Sequence, residues 1–257
     1  MEGKNTFTLD PRRITYFLVV IGIILALAHL IGVFMVYVFG FPKVFGLVNF
    51  FNLDKEQNAP TLFSTCLFLI NAILFFIIWK LQRLPNKSEI TWLFLSALFI
   101  FLAFDEFGEI HETLERPVKE VIHTSGFLAF AWVIPYGIAS ILLLLCLFSF
   151  LRKLNKKIRN LFYLSALSYF VGAIGFEMIG AWYVSLGDCN IVCGLLILVE
   201  ESLEMTGLII LTYALLSLLQ SKHMGLKLII PASNIEIINK PVYQMEKKVS
   251  IEFKNKR

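Results

Sequence analysis

Six long runs of apolar residues, parted by short polar or turn-forming stretches, dominate the chain; they cover about 14–40, 60–83, 90–114, 127–151, 158–186 and 194–221. A helix needs about 20 mainly apolar residues to cross ~30 Å of hydrocarbon, so each run is long enough to span a bilayer. The first run is too long for the apolar part of a signal peptide and lacks a small-residue cleavage site, so it reads as a retained helix. The punctuation agrees. Gly40-Phe41-Pro42, Asn58-Ala59-Pro60, Leu84-Pro85-Asn86, Arg116-Pro117 and Gly187-Asp188 all fall at ends of runs, where turn and breaker residues belong. The pattern predicts an all-α polytopic membrane protein: a six-helix transmembrane domain over 1–221 and a basic tail over 222–257. In the tail, Leu226 to Ile230 and Ile235 to Ile238 read as short strands.

Composition sharpens this reading. Of the 257 residues, 58% are hydrophobic and only 16% are charged, against about 25% charged in a soluble domain. Such a chain cannot cover itself with a water-facing surface. The four cysteines are too few for a disulfide scaffold.

The Lys and Arg residues are distributed unevenly. Nineteen lie in the N-terminal segment, the second and fourth loops and the tail, whereas the other three loops hold only Lys43, Lys55, Arg116 and Lys119. The positive-inside rule places both termini in the cytoplasm, and an even number of crossings agrees. Attraction to anionic lipid accounts for Lys247, Lys248, Lys254, Lys256 and Arg257, so the net charge of +4 does not call for nucleic acid.

Acidic residues stand where the bilayer should exclude them. The third predicted helix carries Asp105, Glu106, Glu109, His111 and Glu112; the fifth carries Glu177; the sixth carries Glu200, Glu201 and Glu204. An ionised carboxylate at the bilayer centre costs at least ~2.5–3.5 kcal/mol, so eight of them imply a function. At 1.5 Å per residue, Asp105 and Glu177 lie ~20 and ~25 Å above the cytoplasmic entry of their helices, and Glu200 and Glu204 ~10 and ~15 Å below the external face. All therefore fall in the outer half. At 100° per residue, Asp105, Glu109 and Glu112 fall within an arc of about 80°, with Glu106 and His111 on opposite flanks. Gly108, Gly172, Gly175, Gly180 and Gly207 would let helices approach closely.

Hard oxygen donors with an imidazole suit iron, manganese or zinc. The set partly matches the di-iron carboxylate bundles, in which Glu and Glu-x-x-His hold each metal. Here Gly108 stands three residues before His111 and no second His lies on the fifth or sixth helix, so two metals would need an almost wholly carboxylate shell. The segment also resembles uncharacterised bacterial multi-pass membrane proteins that carry Asp-Glu and His-Glu four residues apart on one helix and Glu-Glu-x-x-Glu on a later one. That resemblance covers the third to sixth helices, fits a bacterial inner (plasma) membrane, and implies no particular activity.

Two readings follow. One is a metalloenzyme acting on a hydrophobic substrate, with His111 as ligand or proton carrier. The other is a transporter or channel passing protons or divalent cations past Glu112 at the external mouth. Confinement of the acids to the outer half, and the lack of an inverted repeat, favour a site over a pathway. A small subunit of a larger complex is a third reading, and the oligomeric state stays open. Carboxyls hydrogen-bonded within the bundle purely for structure are the bland alternative.

His29, Asn71 and Tyr136 read first as hydrogen-bonded packing residues, and Trp182 and Tyr183 as interface aromatics. Cys189 and Cys193 are spaced for a disulfide at the start of the sixth helix or stand as two free thiols; Cys66 and Cys146 read as small apolar residues. The chain has no phosphate loop, no Gly-x-Ser-x-Gly elbow and no His-Glu-x-x-His helix, because His111-Glu112 continues as Thr113-Leu114-Glu115.

Overall fold

The computed structural model describes residues 6–8, 10–81, 87–187, 189–221, 227–229 and 236–237. The expected breaker Leu84-Pro85-Asn86, Asp188 and most of the basic tail lie outside the described residues. Six helices are long and apolar enough to cross a membrane. They are α1 (Pro11–Tyr37), α3 (Ala59–Leu81), α4 (Lys87–Gly108), α7 (Val133–Leu151), the pair α8 (Lys156–Phe170) and α9 (Glu177–Ser185), and α10 (Ile191–Ser221). A π-helical stretch, Val171–Phe176, joins α8 to α9 as one crossing. Three short helices stand outside them: α2 (Leu47–Phe50), α5 (Ile110–Thr113) and α6 (Glu115–Val121). The membrane domain is all-helical, as the apolar runs predicted.

Local chemistry sets several of the starts. At α1, Pro11 occupies the first turn while Asp10 accepts the Arg12 N–H at 3.0 Å, satisfying a donor that the helix cannot. Asn58 does the same for α3, accepting from the Thr61 N–H at 3.2 Å and its hydroxyl at 3.1 Å. Asn155 accepts from the Ile158 N–H at 2.9 Å and caps α8.

At the two ends of the chain, β1 (Thr6–Thr8) pairs antiparallel with β2 (Lys227–Ile229), which pairs with β3 (Glu236–Ile237). The tail strands fall inside the segments that the sequence marked; pairing with the N-terminus was not foreseen.

The sixth crossing, α10, is the hub. It is the most buried of the six, and its inner half packs Leu211, Leu215 and Leu219 against Phe75, Trp92 and Phe162. Polar side chains tie it to its neighbours. Asn71, fully buried in α3, donates to the Leu67 and Leu208 carbonyls at 3.0 and 3.1 Å and accepts from Thr212 at 3.1 Å. From α8, Ser165 and Ser168 donate to the Gly207 and Leu203 carbonyls, each at 2.7 Å. Hydrogen bonds of this kind join helices in a membrane, where apolar burial gives little preference of one helix for another.

Two glycines allow this contact. A Cβ at Gly172 would meet the Glu200 carbonyl at 2.8 Å, and one at Gly207 would meet the Ser165 carbonyl and the Tyr169 backbone at 2.9 Å. Gly108, Gly175 and Gly180 have no such neighbour, so the close approach expected of all five belongs to Gly172 and Gly207. Gly207→Ala should therefore destabilise the protein by about 1–3 kcal/mol through overpacking against backbone, read as a lower unfolding midpoint in detergent. Gly180→Ala should leave it unchanged.

His29 is the packing residue the sequence suggested. Only 4% exposed, its Nδ1 accepts the Leu53 N–H at 3.0 Å and its Nε2 bonds to the Gly194 carbonyl at 3.0 Å. It thereby pins the loop between α1 and α3 to the start of α10. Cys189 and Cys193 are joined in a disulfide there, while Cys66 and Cys146 are free and exposed on the helix surface.

Candidate functional site

The third crossing ends earlier than its apolar pattern suggested. Helix α4 stops at Gly108, and Glu109 takes a left-handed conformation with φ 53°. Glycine favours such a stop, and a left-handed residue is a common helix terminator. In glutamate that conformation costs roughly 1–2 kcal/mol. The turn sends the chain back over the helix end, where the His111 N–H donates to Asp105 Oδ1 at 2.8 Å and the imidazole Nδ1 lies 3.5 Å from the same oxygen. This corrects the single-helix arc. His111 reaches Asp105 through a folded turn, Glu112 lies outside the span on α5, and Glu109 does not line the cavity described below.

Asp105 is 5% exposed, and Oδ1 also accepts the Tyr136 hydroxyl at 2.9 Å. The Trp132 ring sits 4.6 Å from His111 and 5.5 Å from Tyr136, perpendicular to the latter. Its indole N–H donates to Glu177 Oε1 at 3.0 Å. An aromatic corner at the start of α7 therefore connects the acids of the third and fifth crossings. The sequence reading gave Tyr136 only a packing role and missed Trp132; Pro135 between them marks a helix start, not a site.

The fifth and sixth crossings bring the remaining acids in. The π-helical stretch directly precedes Glu177, and π-bulges commonly accompany functional positions. Glu200 lies within hydrogen-bonding reach of Glu177, and Glu204 within reach of the Tyr169 hydroxyl. Glu106 stands within reach of Ser64 and interacts with Glu204 and Glu201. Two carboxylates in contact repel each other unless a proton or a cation lies between them.

Glu56 was not anticipated. It sits in the loop between α1 and α3, which Asn58 holds in place by donating to the Asn52 and Asn49 carbonyls at 2.6 and 3.3 Å. One carboxylate oxygen, Oε2, is buried without a hydrogen-bond partner. Burial pushes the Glu56 carboxyl up to about 7; His111 opposes the shift, and Glu109 and Glu112 reinforce it. Burial disfavours the charged His111 ring, but its hydrogen bond to the Asp105 carboxylate and the charges of Asp105, Glu106 and Glu112 outweigh it and hold His111 above its ordinary value.

The raised Glu56 value has a sign that can be checked. Between 4.5 and about 7 the folded protein holds more protons on Glu56 than the unfolded chain does, so its contribution to stability falls as pH rises through that window. In chelator-treated protein, Glu56→Gln should raise the unfolding midpoint at pH 8 and leave it unchanged at pH 4. Equal shifts at both values would sink this account.

One cavity of about 1440 Å³ is lined by Asp105, Glu106, His111, Glu112, Glu177, Glu200, Glu201 and Glu204 together with Glu56, Trp132, Tyr136 and Tyr169, but not by Glu109. Cys189 and Cys193 line it too, and no Lys or Arg is among its described lining residues. Among the described residues, no three His, Cys, Asp or Glu side chains already stand as a metal-holding group.

Residues 15–219 match one family model, described as Domain of unknown function (DUF8692). No curated protein matches the chain, and no solved structure does.

Proposed function

As the chain belongs to that family, whose description assigns no activity, its function rests on the chemistry of the cavity. We propose that it is an integral membrane protein whose carboxylate cluster binds one or two divalent cations, drawn from iron, manganese and zinc, and acts on a hydrophobic substrate. Glu106, Glu177, Glu200, Glu201 and Glu204 would supply the oxygen ligands, a donor set that suits such ions. Asp105 is already engaged by Tyr136 and the His111 N–H, so it and His111 serve better to position the outer wall and carry protons.

The observation that carries this reading is the convergence of acids from three crossings on one cavity with no described Lys or Arg in its lining. In a low-dielectric setting such a cluster must take up protons or a cation, and the oxygen-rich donor set suits a cation. Because no metal-holding group is preformed among the described residues, binding would draw the glutamates inward by rotamer changes. A bound cation would act as a Lewis acid or would lower the pKa of a water. The basic residues of the loops and tail favour cytoplasmic termini and contact with anionic lipid; in that orientation the site would lie in the external half of a bacterial inner membrane.

Proton or cation conduction is the second reading, and contact between Glu177 and Glu200 is what favours it. Against it, the cavity wall farther in is mainly apolar, with Phe94, Leu95, Leu98, Leu143 and Leu147 beside the hydroxyls of Ser140 and Ser165 and no described acid, which offers an ion little. Elemental analysis of protein purified without added metal separates the two. About one or two equivalents of iron, manganese or zinc supports the first reading, and metal-free protein that carries protons into liposomes overturns it.

A further inference from the structure

The cavity continues inward past the acids. There it runs between Phe94, Leu95 and Leu98 of α4 and Leu143, Leu147 and Leu151 of α7. Leu95 precedes Asp105 by ten residues, which places it ~15 Å deeper along the helix. Helix α7 is buried only near its ends, at Val133, Phe150 and Leu151. Between them Ile138, Ile141, Leu142, Leu144 and Leu145 are exposed, so the helix stands away from the bundle and the slot beside it opens toward lipid. A polar outer end joined to an apolar arm suits a single-chain amphiphile.

The outer end selects the head group. Trp132 and Tyr136 form a perpendicular corner, and their polar atoms are bonded to Glu177 and Asp105. Ring faces beside carboxylates attract an ammonium group through cation–π and ionic interactions. An anionic head would be repelled, and an alcohol would leave the acids without a counter-charge. We propose that the cavity takes an ammonium amphiphile from the bilayer, entering beside α7, with its head at Glu177, Trp132 and Tyr136 and its chain between α4 and α7. This rests on reading the cavity as a site for a hydrophobic substrate, and it names the class of that substrate.

The test uses the full chain in a non-ionic detergent and dodecylamine carrying a photoreactive group near its chain end. Labelling should fall on peptides holding Leu95, Leu98, Leu143 and Leu147. Dodecyltrimethylammonium should displace the probe, and dodecanol, dodecanoate or choline should need at least about ten times the concentration. Glu177→Gln should weaken labelling at least about tenfold. Leu147→Trp, which fills the arm, should abolish it with metal content unchanged. Equal displacement by dodecanol or dodecanoate overturns the inference, as does labelling spread evenly to lipid-facing positions such as Ile23 and Ile73. Metal measured on the same samples separates the two proposals: metal-free protein that still takes the probe sinks the metal and supports the amphiphile, and metal-loaded protein that refuses it does the reverse.

Discussion

Glu204→Ala should leave the purified protein with less than about a tenth of its bound divalent cation, and Glu177→Ala should do the same. Losing even an outer-shell partner of a metal lowers affinity roughly 10–100-fold, and losing a ligand costs at least as much. The two residues lie on different crossings, so a shared effect cannot come from one locally disturbed helix. Glu204→Gln keeps the size and the reach to Tyr169 but removes the charge, and it should lose the cation as fully as alanine does. Glu120→Ala provides the control: that carboxylate pairs with Arg116 on exposed α6 and should bind as the parent does. Retention of metal by both cavity variants would remove the basis for the proposed chemistry. Loss in Glu120→Ala as well would point to general damage.

The crossings were legible because their signal is physical and redundant: about 20 apolar residues, breakers between them, and Lys and Arg skewed to one side. The acids were legible for the opposite reason, since an ionisable group in hydrocarbon is too costly to be incidental. What the pattern could not carry was any departure from a straight helix. Ile110 and Leu114 continue the apolar rhythm of α4, yet Gly108 and the left-handed Glu109 end it, and only a tertiary contact, Asp105 with the His111 N–H, shows why the turn is held. The π-helical stretch before Glu177 is hidden likewise, since Val171 to Phe176 reads as ordinary apolar helix. Glu56 and Trp132 lie in segments whose only sequence signal is loop or helix start. Their distance from the other acids is set by how the loops fold back, which periodicity does not encode.

Asp105→Ala should cost the most stability of any substitution at the outer site, about 3 kcal/mol. One oxygen accepts both the His111 N–H at 2.8 Å and the Tyr136 hydroxyl at 2.9 Å. Removing it strands two part-buried donors at ~1–3 kcal/mol each. It also releases the turn that Glu109 holds in a conformation it otherwise avoids. The damage should therefore be directional: amide exchange across 110–121 should quicken, while the Asn71–Thr212 contact region of α3 and α10 stays protected. Asp105→Asn retains an oxygen acceptor and should lose about half as much, and Tyr136→Phe should lose ~1 kcal/mol. Because Tyr136 acts through the same oxygen, adding Tyr136→Phe to Asp105→Ala should cost less than the sum of the two single changes. Additive losses, or unchanged exchange across 110–121, would mean that Asp105 does not hold the turn, and that the position of His111 over the cavity is set by something else.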